Sequence, residues 1–234
     1  MHEPNTRRRR MHDATATRTA ILDAAETIFA EQGFAGARID AIAARADSNK
    51  SLIFQYFDDK LTLYAQVLQR TEAETTALQA SLFAPLLTHV DLATDAQQLR
   101  TFLTTAFGAV FDHLLARPQL LRILQWELAE GWKTYAQISP QLPVDHIDQL
   151  ASIFDAAQRA GLVRSAFSPV VQLTMALQTC QSYLASLPLY QVLMPNQDMS
   201  STAAIAAARQ HIVTAIVAGI LVDPPRPIEH EEPQ

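Results

Sequence analysis

The side chains with the clearest chemical use lie between residues 50 and 60, where cationic, amide and phenolic groups recur at short intervals. The ammonium groups of Lys50 and Lys60 can each neutralise a phosphate. The amide of Gln55 can donate and accept hydrogen bonds on a base edge, with adenine its best geometric partner. The Tyr56 hydroxyl can reach a phosphate. Together these groups suit a nucleic acid, although each lysine taken singly could be a solvated surface charge.

Three helical patterns would position these groups. An amphipathic helix is predicted over residues 14–32 and ends at Gly33. Short helices follow over residues 39–46 and 50–57, joined by the tight turn at residues 47–49. Two short helices joined in this way most often place the second helix in a DNA major groove.

The helix over residues 50–57 has two predicted faces. Leu52, Ile53 and Phe57 include the positions that face the core, because helical neighbours recur at three and four residues. The remaining side chains face outward, although Phe54 and Tyr56 could also be ordinary core aromatics. The residues predicted to contact double-stranded DNA are Arg38, Lys50, Ser51, Phe54, Gln55, Tyr56 and Lys60.

Composition and charge limit the class of protein. Apolar residues make up 49% of the chain, an ordinary globular level. The net charge is −6, but residues 1–70 carry 10 Lys and Arg against 9 Asp and Glu, whereas residues 71–234 carry 8 against 15. The positive charge therefore lies where DNA is expected to bind, and the acidic remainder would face away from phosphates.

Several other classes of function have no support in the sequence. The histidines are scattered and Cys180 is the only cysteine, so neither a metal site nor an internal disulfide is expected. No phosphate-binding glycine loop or nucleophile elbow occurs, and we predict neither a cofactor nor enzymatic activity. No apolar run of 18 residues or signal sequence is evident, which predicts a cytoplasmic protein without a membrane partner.

The predicted fold is all-α, because glycine is scarce and strand-like alternation is rare. A disordered Arg-rich arm over residues 1–13 precedes a helix-turn-helix DNA-binding domain over 14–62. A larger helical domain follows over 63–222, with a disordered tail over 223–234. About nine helices are predicted, over residues 14–32, 39–46, 50–57, 59–84, 94–116, 118–131, 145–160, 168–187 and 200–221.

The last two predicted helices, 168–187 and 200–221, are apolar on more than one face. A surface helix needs one apolar stripe, so a second stripe implies a second buried contact. Packing against a two-fold mate as a four-helix bundle would supply it. The alternative is that both helices lie in the centre of a monomer core. We favour a homodimer, because an operator-reading protein also needs one.

The landmarks within residues 17–64 resemble the N-terminal domain of TetR-family transcriptional regulators. They are Thr17, Arg18, Ile21, Leu22, Ala24, Ala25, Phe29, Gly33, Phe34, Ile42, Ala43, Ala46, Lys50, Phe54, Tyr56, Phe57, Lys60 and Leu63. The resemblance implies an all-α homodimer that binds a palindromic operator as a repressor and is released by a small-molecule effector. One alternative is a helical small-molecule-binding protein or enzyme that does not read DNA, and another is an activator or a nucleoid-type DNA-binding protein.

The chain departs from the family pattern at three places. Asp47 occupies a turn position that is usually glycine, and Asp tolerates left-handed backbone better than most residues. Arg38 stands where a capping Ser or Thr is common, which would cost about 1 kcal/mol of helix stability. We expect Arg38 to reach a phosphate instead. The run Arg7–Arg10 is either a solubilising tail or an arm that contacts DNA.

If the resemblance holds, residues 63–222 form the effector-binding and dimerisation domain, and residues 94–187 should enclose the effector cavity. A mostly apolar pocket with a few orienting polar groups is expected. The candidate lining residues are Phe107, Phe111, Trp126, Glu127, Gln178 and Gln181. The aromatic residues could instead be ordinary core, and the glutamines could lie at a dimer seam. Glu127 could meet a cationic ligand or form an exposed salt bridge.

Overall fold

The computed structural model describes residues 4–70, 94–141, 145–164 and 168–222. Within them the chain forms α-helices and one 3-10 turn at Ser139–Gln141, and the only extended pairing is an isolated bridge between Val163 and Leu221. The helices are α1 (Pro4–Gly36), α2 (Ile39–Arg45), α3 (Lys50–Phe57), α4 (residues 60–70, as far as described), α5 (Ala96–Ala116), α6 (Pro118–Ala129), α7 (Lys133–Ile138), α8 (Asp145–Arg159), α9 (Pro169–Ala185), α10 (Leu187–Leu193) and α11 (Thr202–Ile220).

The all-α prediction is confirmed, and each of the nine predicted helices has a counterpart. α1 begins at Pro4, so most of the segment 1–13 that we expected to be a disordered arm is helical. Arginine and methionine are good helix formers, and the helix predicted from residue 14 extends through them. The predicted end at Gly33 corresponds to a kink, where Gly33 has φ 67° and ψ 175°.

Two short helices were not predicted. α10 lies in a segment that we expected to be a loop because Pro188 and Pro195 flank it. Pro188 instead occupies the first turn of α10, where its missing N–H has no helical partner to lose. α7 starts after a turn in which Gly131 (φ 71°) and Trp132 (φ 61°) both adopt left-handed backbone.

The predicted continuation of α4 to residue 84 and the predicted tail over 223–234 lie outside the described residues.

The chain divides into two compact units, each made of two segments. The first unit comprises Met1–Ala80 and Asp112–Val144, and the second comprises Ser81–Phe111 and Asp145–Gln234. The first unit therefore joins the helix-turn-helix to α6 and α7, which were predicted to belong to the second domain. The predicted division of function at residues 62 and 63 stays a prediction.

A buried carboxylate holds α6 to the helix-turn-helix. Glu127 of α6 is only 2% exposed, and it accepts a hydrogen bond of 2.6 Å from the hydroxyl of Tyr64 in α4. Its second oxygen accepts a hydrogen bond of 3.0 Å from the backbone N–H of Tyr135 in α7. The Tyr64 ring packs edge-on against Phe29 of α1, at 4.9 Å between ring centroids. One acidic side chain thus links α4, α6 and α7 beneath α1.

α6 also contacts the kink in α1. The Trp126 indole N–H donates to the carbonyl of Ala30 at 3.2 Å. The indole lies so close to Gly33 that a Cβ placed there would be 3.0 Å from the ring. Because its backbone conformation is essentially restricted to glycine, Gly33 is required here both for its dihedral angles and for its lack of a side chain.

A network of ion pairs also joins the helices of the first unit. Glu26 of α1 is 8% exposed and pairs with Arg70 of α4 and, at 3.2 Å, with Arg117, which precedes α6. Arg70 also pairs with Asp23 of α1. Two guanidinium groups therefore compensate one buried carboxylate, as a buried charge requires.

The second unit has its own apolar core. The buried residues come from α5, α8, α9 and α11 and include Leu99, Phe102, Leu103, Phe107, Phe154, Ala157, Ala176, Val213, Val217 and Ile220. α11 is the one helix of the described ranges that is long and apolar enough to cross a membrane by length and composition, and 22% of its most apolar stretch is buried. This is weak evidence for a membrane span, but it shows that α11 leaves apolar surface open.

We predict that Tyr64→Phe lowers the free energy of unfolding by about 1–3 kcal/mol, because the buried Glu127 carboxylate loses a charge-assisted hydrogen bond. Urea denaturation of the purified protein measures the change. Tyr56→Phe is the matched control, since it removes the same hydroxyl from a half-buried ring that does not contact Glu127. Equal stability of Tyr64→Phe and the wild type would contradict a structural role for this bond.

Candidate nucleic-acid interface

The turn between α2 and α3 is built by two short polar residues. Asp47 has φ 48°, so the left-handed backbone expected at this position is confirmed. Asn49 is the N-cap of α3, and its side-chain oxygen accepts a hydrogen bond of 2.8 Å from the N–H of Leu52. The cap satisfies one of the N–H groups that the first turn of a helix leaves free. This contact fixes where α3 starts and thus which side chains it presents.

α3 has one buried and one open face. Ile53 and Phe57 are each 1% exposed and anchor the helix, as predicted, whereas Leu52 is half-buried. Four of the residues predicted to contact DNA are exposed on α3, and the fifth, Tyr56, is half-buried with its ring 6.1 Å from that of Phe57. The exposed residues are Lys50, Ser51, Phe54 and Gln55.

Charged groups lie where α2 and α3 begin. Lys50, the first residue of α3, is paired with Asp40 in the first turn of α2, at 3.2 Å from one carboxylate oxygen and 3.3 Å from the other. Arg38 is exposed at the N-cap of α2 and makes no side-chain capping hydrogen bond, so the expected loss of this cap is confirmed. The guanidinium of Arg38 therefore lies at the surface, beside the end of α2 that carries Asp40.

Lys60 has a different environment from the one that we expected. Its ammonium donates to the carbonyl of Ala37 at 2.9 Å and lies 4.5 Å from the centre of the Phe34 ring. Desolvation in this half-buried position lowers the pKa of Lys60, and the nearby Glu130 acts in the opposite direction. Lys60 thus ties α4 to the segment before α2, and a phosphate would have to compete with these partners.

The six candidate effector residues are divided between the two units. Trp126 and Glu127 belong to the first unit, where they hold α6 against α1 and α4. Both oxygens of Glu127 have protein donors, so the structure gives it neither a free carboxylate for a cationic ligand nor the exposed salt bridge that was the alternative. The other four candidates, Phe107, Phe111, Gln178 and Gln181, belong to the second unit.

In the second unit an open cleft of about 520 Å³ lies between α9, α10 and α11. Gln178 lines it together with Tyr183, Tyr190 and Ile212. The rings of Phe111, Tyr183 and Tyr190 form a continuous series, with centroids 6.1 and 5.6 Å apart. Sequence periodicity did not predict this grouping, because α10 was not expected to be a helix.

Gln181 is 1% exposed, and neither its side-chain oxygen nor its nitrogen has a hydrogen-bond partner in the part of the chain that the structure describes. The hydroxyl of Tyr183 is buried and unpaired within the same ranges. Burial raises the pKa of Tyr183, so this phenol stays protonated and able to donate. Over those residues no cluster of three metal-ligating side chains occurs.

Comparisons with known proteins show the family to which the chain belongs. The sequence model described as bacterial regulatory proteins, tetR family, matches residues 21–67, and that described as tetracyclin repressor-like, C-terminal domain, matches residues 100–216. The chain belongs to the TetR family. It is therefore a DNA-binding transcriptional regulator, and α2 and α3 are the helix-turn-helix of that TetR-family domain.

Named relatives agree with this assignment. The HTH-type transcriptional repressor SCO4008 of Streptomyces coelicolor is 31% identical over 147 residues, which are 63% of this chain and 68% of that protein. The HTH-type transcriptional repressor NicS of Pseudomonas putida is 33% identical over 159 residues, 66% of this chain and 69% of that protein. The crystal structure of the transcriptional regulator SCO4942 from Streptomyces coelicolor is 30% identical with a TM-score of 0.57, covering 90% of this chain and 99% of that one.

We predict that Asn49→Ala lowers the free energy of unfolding by about 1 kcal/mol and frays the start of α3, because the N-cap acceptor is lost. Thermal unfolding followed by circular dichroism measures the effect. Asn49→Asp retains an acceptor and should be close to the wild type. A loss of stability shared equally by both variants would show that the cap is not the source.

Proposed function

We propose that this TetR-family regulator is a homodimeric repressor, located in the cytoplasm, that binds a palindromic operator and is released from it by a small-molecule effector. The observation that carries the proposal is the open face of α3. Lys50, Ser51, Phe54 and Gln55 are exposed while Ile53 and Phe57 anchor the helix. A helix held in this way can enter a major groove without rearranging its own core.

The proposed contacts are of two kinds: those to the DNA backbone, which position the protein, and those to base edges, which read the sequence. Lys50 and Arg38 are cations at the rim and would bind phosphates, which fixes register but carries no sequence information. Gln55 would read a base edge, and Ser51 and Phe54 would contact base edges or thymine methyl groups beside it. Tyr56 would contact the backbone. Lys60 remains a weaker candidate because its ammonium already has two intramolecular partners.

The surface of the last three helices supports a dimer. α9, α10 and α11 together contain one charged residue, Arg209. Large apolar side chains are nevertheless exposed on α9 and α10, with Met175 at 51%, Leu189 at 54% and Val192 at 74%. An apolar surface with so little charge marks a contact site, and a second copy would cover it symmetrically. We propose that α9 and α11, extended by α10, form the homodimer interface.

The geometry of DNA limits what such a dimer must do. Two α3 helices have to be separated by about 34–36 Å to enter successive major grooves on one face of the duplex. An effector releases the repressor if it favours another separation, and coupling between two sites is typically about 1–3 kcal/mol. A small change in the dimer is therefore sufficient for control.

For the effector we propose an uncharged, partly aromatic molecule. The four candidates in the second unit are Phe107, Phe111, Gln178 and Gln181, and no charged side chain is among the described residues that line the cleft at Gln178. Within the described part of the chain, the amide of Gln181 and the hydroxyl of Tyr183 have no hydrogen-bond partner, and a neutral polar ligand would supply one. Trp126 and Glu127 serve instead in holding α6.

Affinity selection of fragmented genomic DNA tests the central proposal. The wild type and Lys50→Ala/Gln55→Ala are compared in the absence of effector, because both substituted side chains are exposed and the fold should be retained. We expect a few enriched palindromic fragments that the double variant loses, and repression of a reporter placed behind them. Activation of that reporter would reverse the sign of regulation. Selection of no DNA by either protein would favour a ligand-binding protein that does not read DNA.

We predict that Gln181→Leu raises the free energy of unfolding by up to about 3 kcal/mol, because a buried amide that has no partner among the described residues is replaced by an apolar group of similar size. The same variant should bind its operator but fail to respond to effector. Urea denaturation and reporter induction are the two measurements. Gln178→Leu is the control for stability, since Gln178 is only half-buried. A large loss of stability in Gln181→Leu would mean that the amide has a partner in the folded protein.

A further inference from the structure

The ion pair between Lys50 and Asp40 lies on the surface proposed to face DNA. Lys50 is the first residue of the exposed face of α3, and both carboxylate oxygens of Asp40 are within 3.3 Å of its ammonium. The side chains are 54% and 73% exposed. The structure therefore places a negative charge next to the cation that is best placed to bind a phosphate.

We propose that Asp40 sets the affinity for DNA by competing with phosphate for Lys50. This inference rests on the proposed function, specifically on Lys50 binding the DNA backbone. In the free protein Asp40 is the partner of Lys50. In the complex a phosphate takes its place, and the Asp40 carboxylate then faces the negative backbone.

The local charge makes this competition effective. From residue 38 to residue 57 the chain has three cations, Arg38, Arg45 and Lys50, against two anions, Asp40 and Asp47, so the net charge is +1. Phosphate contacts supply much of the affinity for DNA and all of its steep dependence on salt. Removing the charge of Asp40 would double the net positive charge of the element.

The pair itself is easily exchanged. An ion pair between exposed side chains is worth about 0.2–1 kcal/mol. Lys50 can therefore leave Asp40 without unfolding any part of α2 or α3, and the carboxylate reduces affinity without preventing binding. A restrained affinity also suits a regulator that an effector must release, since the available coupling energy is small.

A double-mutant cycle tests the proposal. Operator binding is measured as a function of salt for the wild type, Asp40→Asn, Lys50→Ala and the double variant. We expect Asp40→Asn to bind about two- to fivefold more tightly at low salt. We also expect its salt dependence to be steeper by up to about one unit of logarithmic slope. In the Lys50→Ala background Asp40→Asn should have little effect. Tighter binding that persists without Lys50 would overturn the pairing.

Asp47→Asn is the matched control. It removes the same charge from the same helix-turn-helix, and Asn also tolerates the left-handed backbone at this position. A gain equal to that of Asp40→Asn would show a general charge effect and overturn the proposal. So would unchanged or weaker binding by Asp40→Asn, as expected if Asp40 read a cytosine directly. Asp40→Ser removes the charge without adding an amide, so it should bind like Asp40→Asn if the loss of charge is the cause.

Failure of the proposed function and failure of the inference about Asp40 give different results. If the wild type selects no operator, the proposed function fails. If the wild type binds an operator and Lys50→Ala binds it equally well, Lys50 makes no backbone contact and only the inference about Asp40 fails. Circular dichroism of every variant shows that it is folded before its binding is compared.

Discussion

The buried carboxylate of Glu127 is the constraint on which the first unit depends. A carboxylate that is 2% exposed must have donors, and Tyr64 of α4 and the backbone of Tyr135 in α7 supply them. Since an unpaired buried charge costs several kcal/mol, α4, α6 and α7 cannot separate freely around it. The helix-turn-helix is consequently held as part of a larger body, in which α6 also packs on the kink at Gly33.

This arrangement gives α3 a rigid support and leaves its outer face open. The support comes from buried apolar anchors and from the Asn49 cap, whereas the open face has polar and charged groups that interact weakly with the rest of the protein. Base reading needs the rigid support, because a recognition helix must hold its side chains in register. Exchange of Lys50 between Asp40 and a phosphate needs the open face, where side chains are weakly held. The ion pairs of Glu26 differ, since their carboxylate is largely buried and two guanidinium groups compensate it.

Much of this structure follows from local sequence, and the remainder depends on contacts between distant segments. Helical periodicity and capping residues predicted nine helices, the turn at Asp47 and the anchors of α3. The role of Glu127 was missed because its donors, Tyr64 and the backbone of Tyr135, lie 63 and 8 residues away. Asp40 was missed because its partner is 10 residues away across a turn. α10 was missed because a proline in a first helical turn resembles one in a loop.

Hydrogen–deuterium exchange of the whole protein with and without its selected operator tests most directly whether the open face of α3 reads DNA. We predict that peptides covering residues 38–57 exchange more slowly when operator is added at low salt, and that fragments of unrelated sequence protect them much less. Protection confined to other parts of the chain, with residues 38–57 unchanged, would contradict DNA reading by α3.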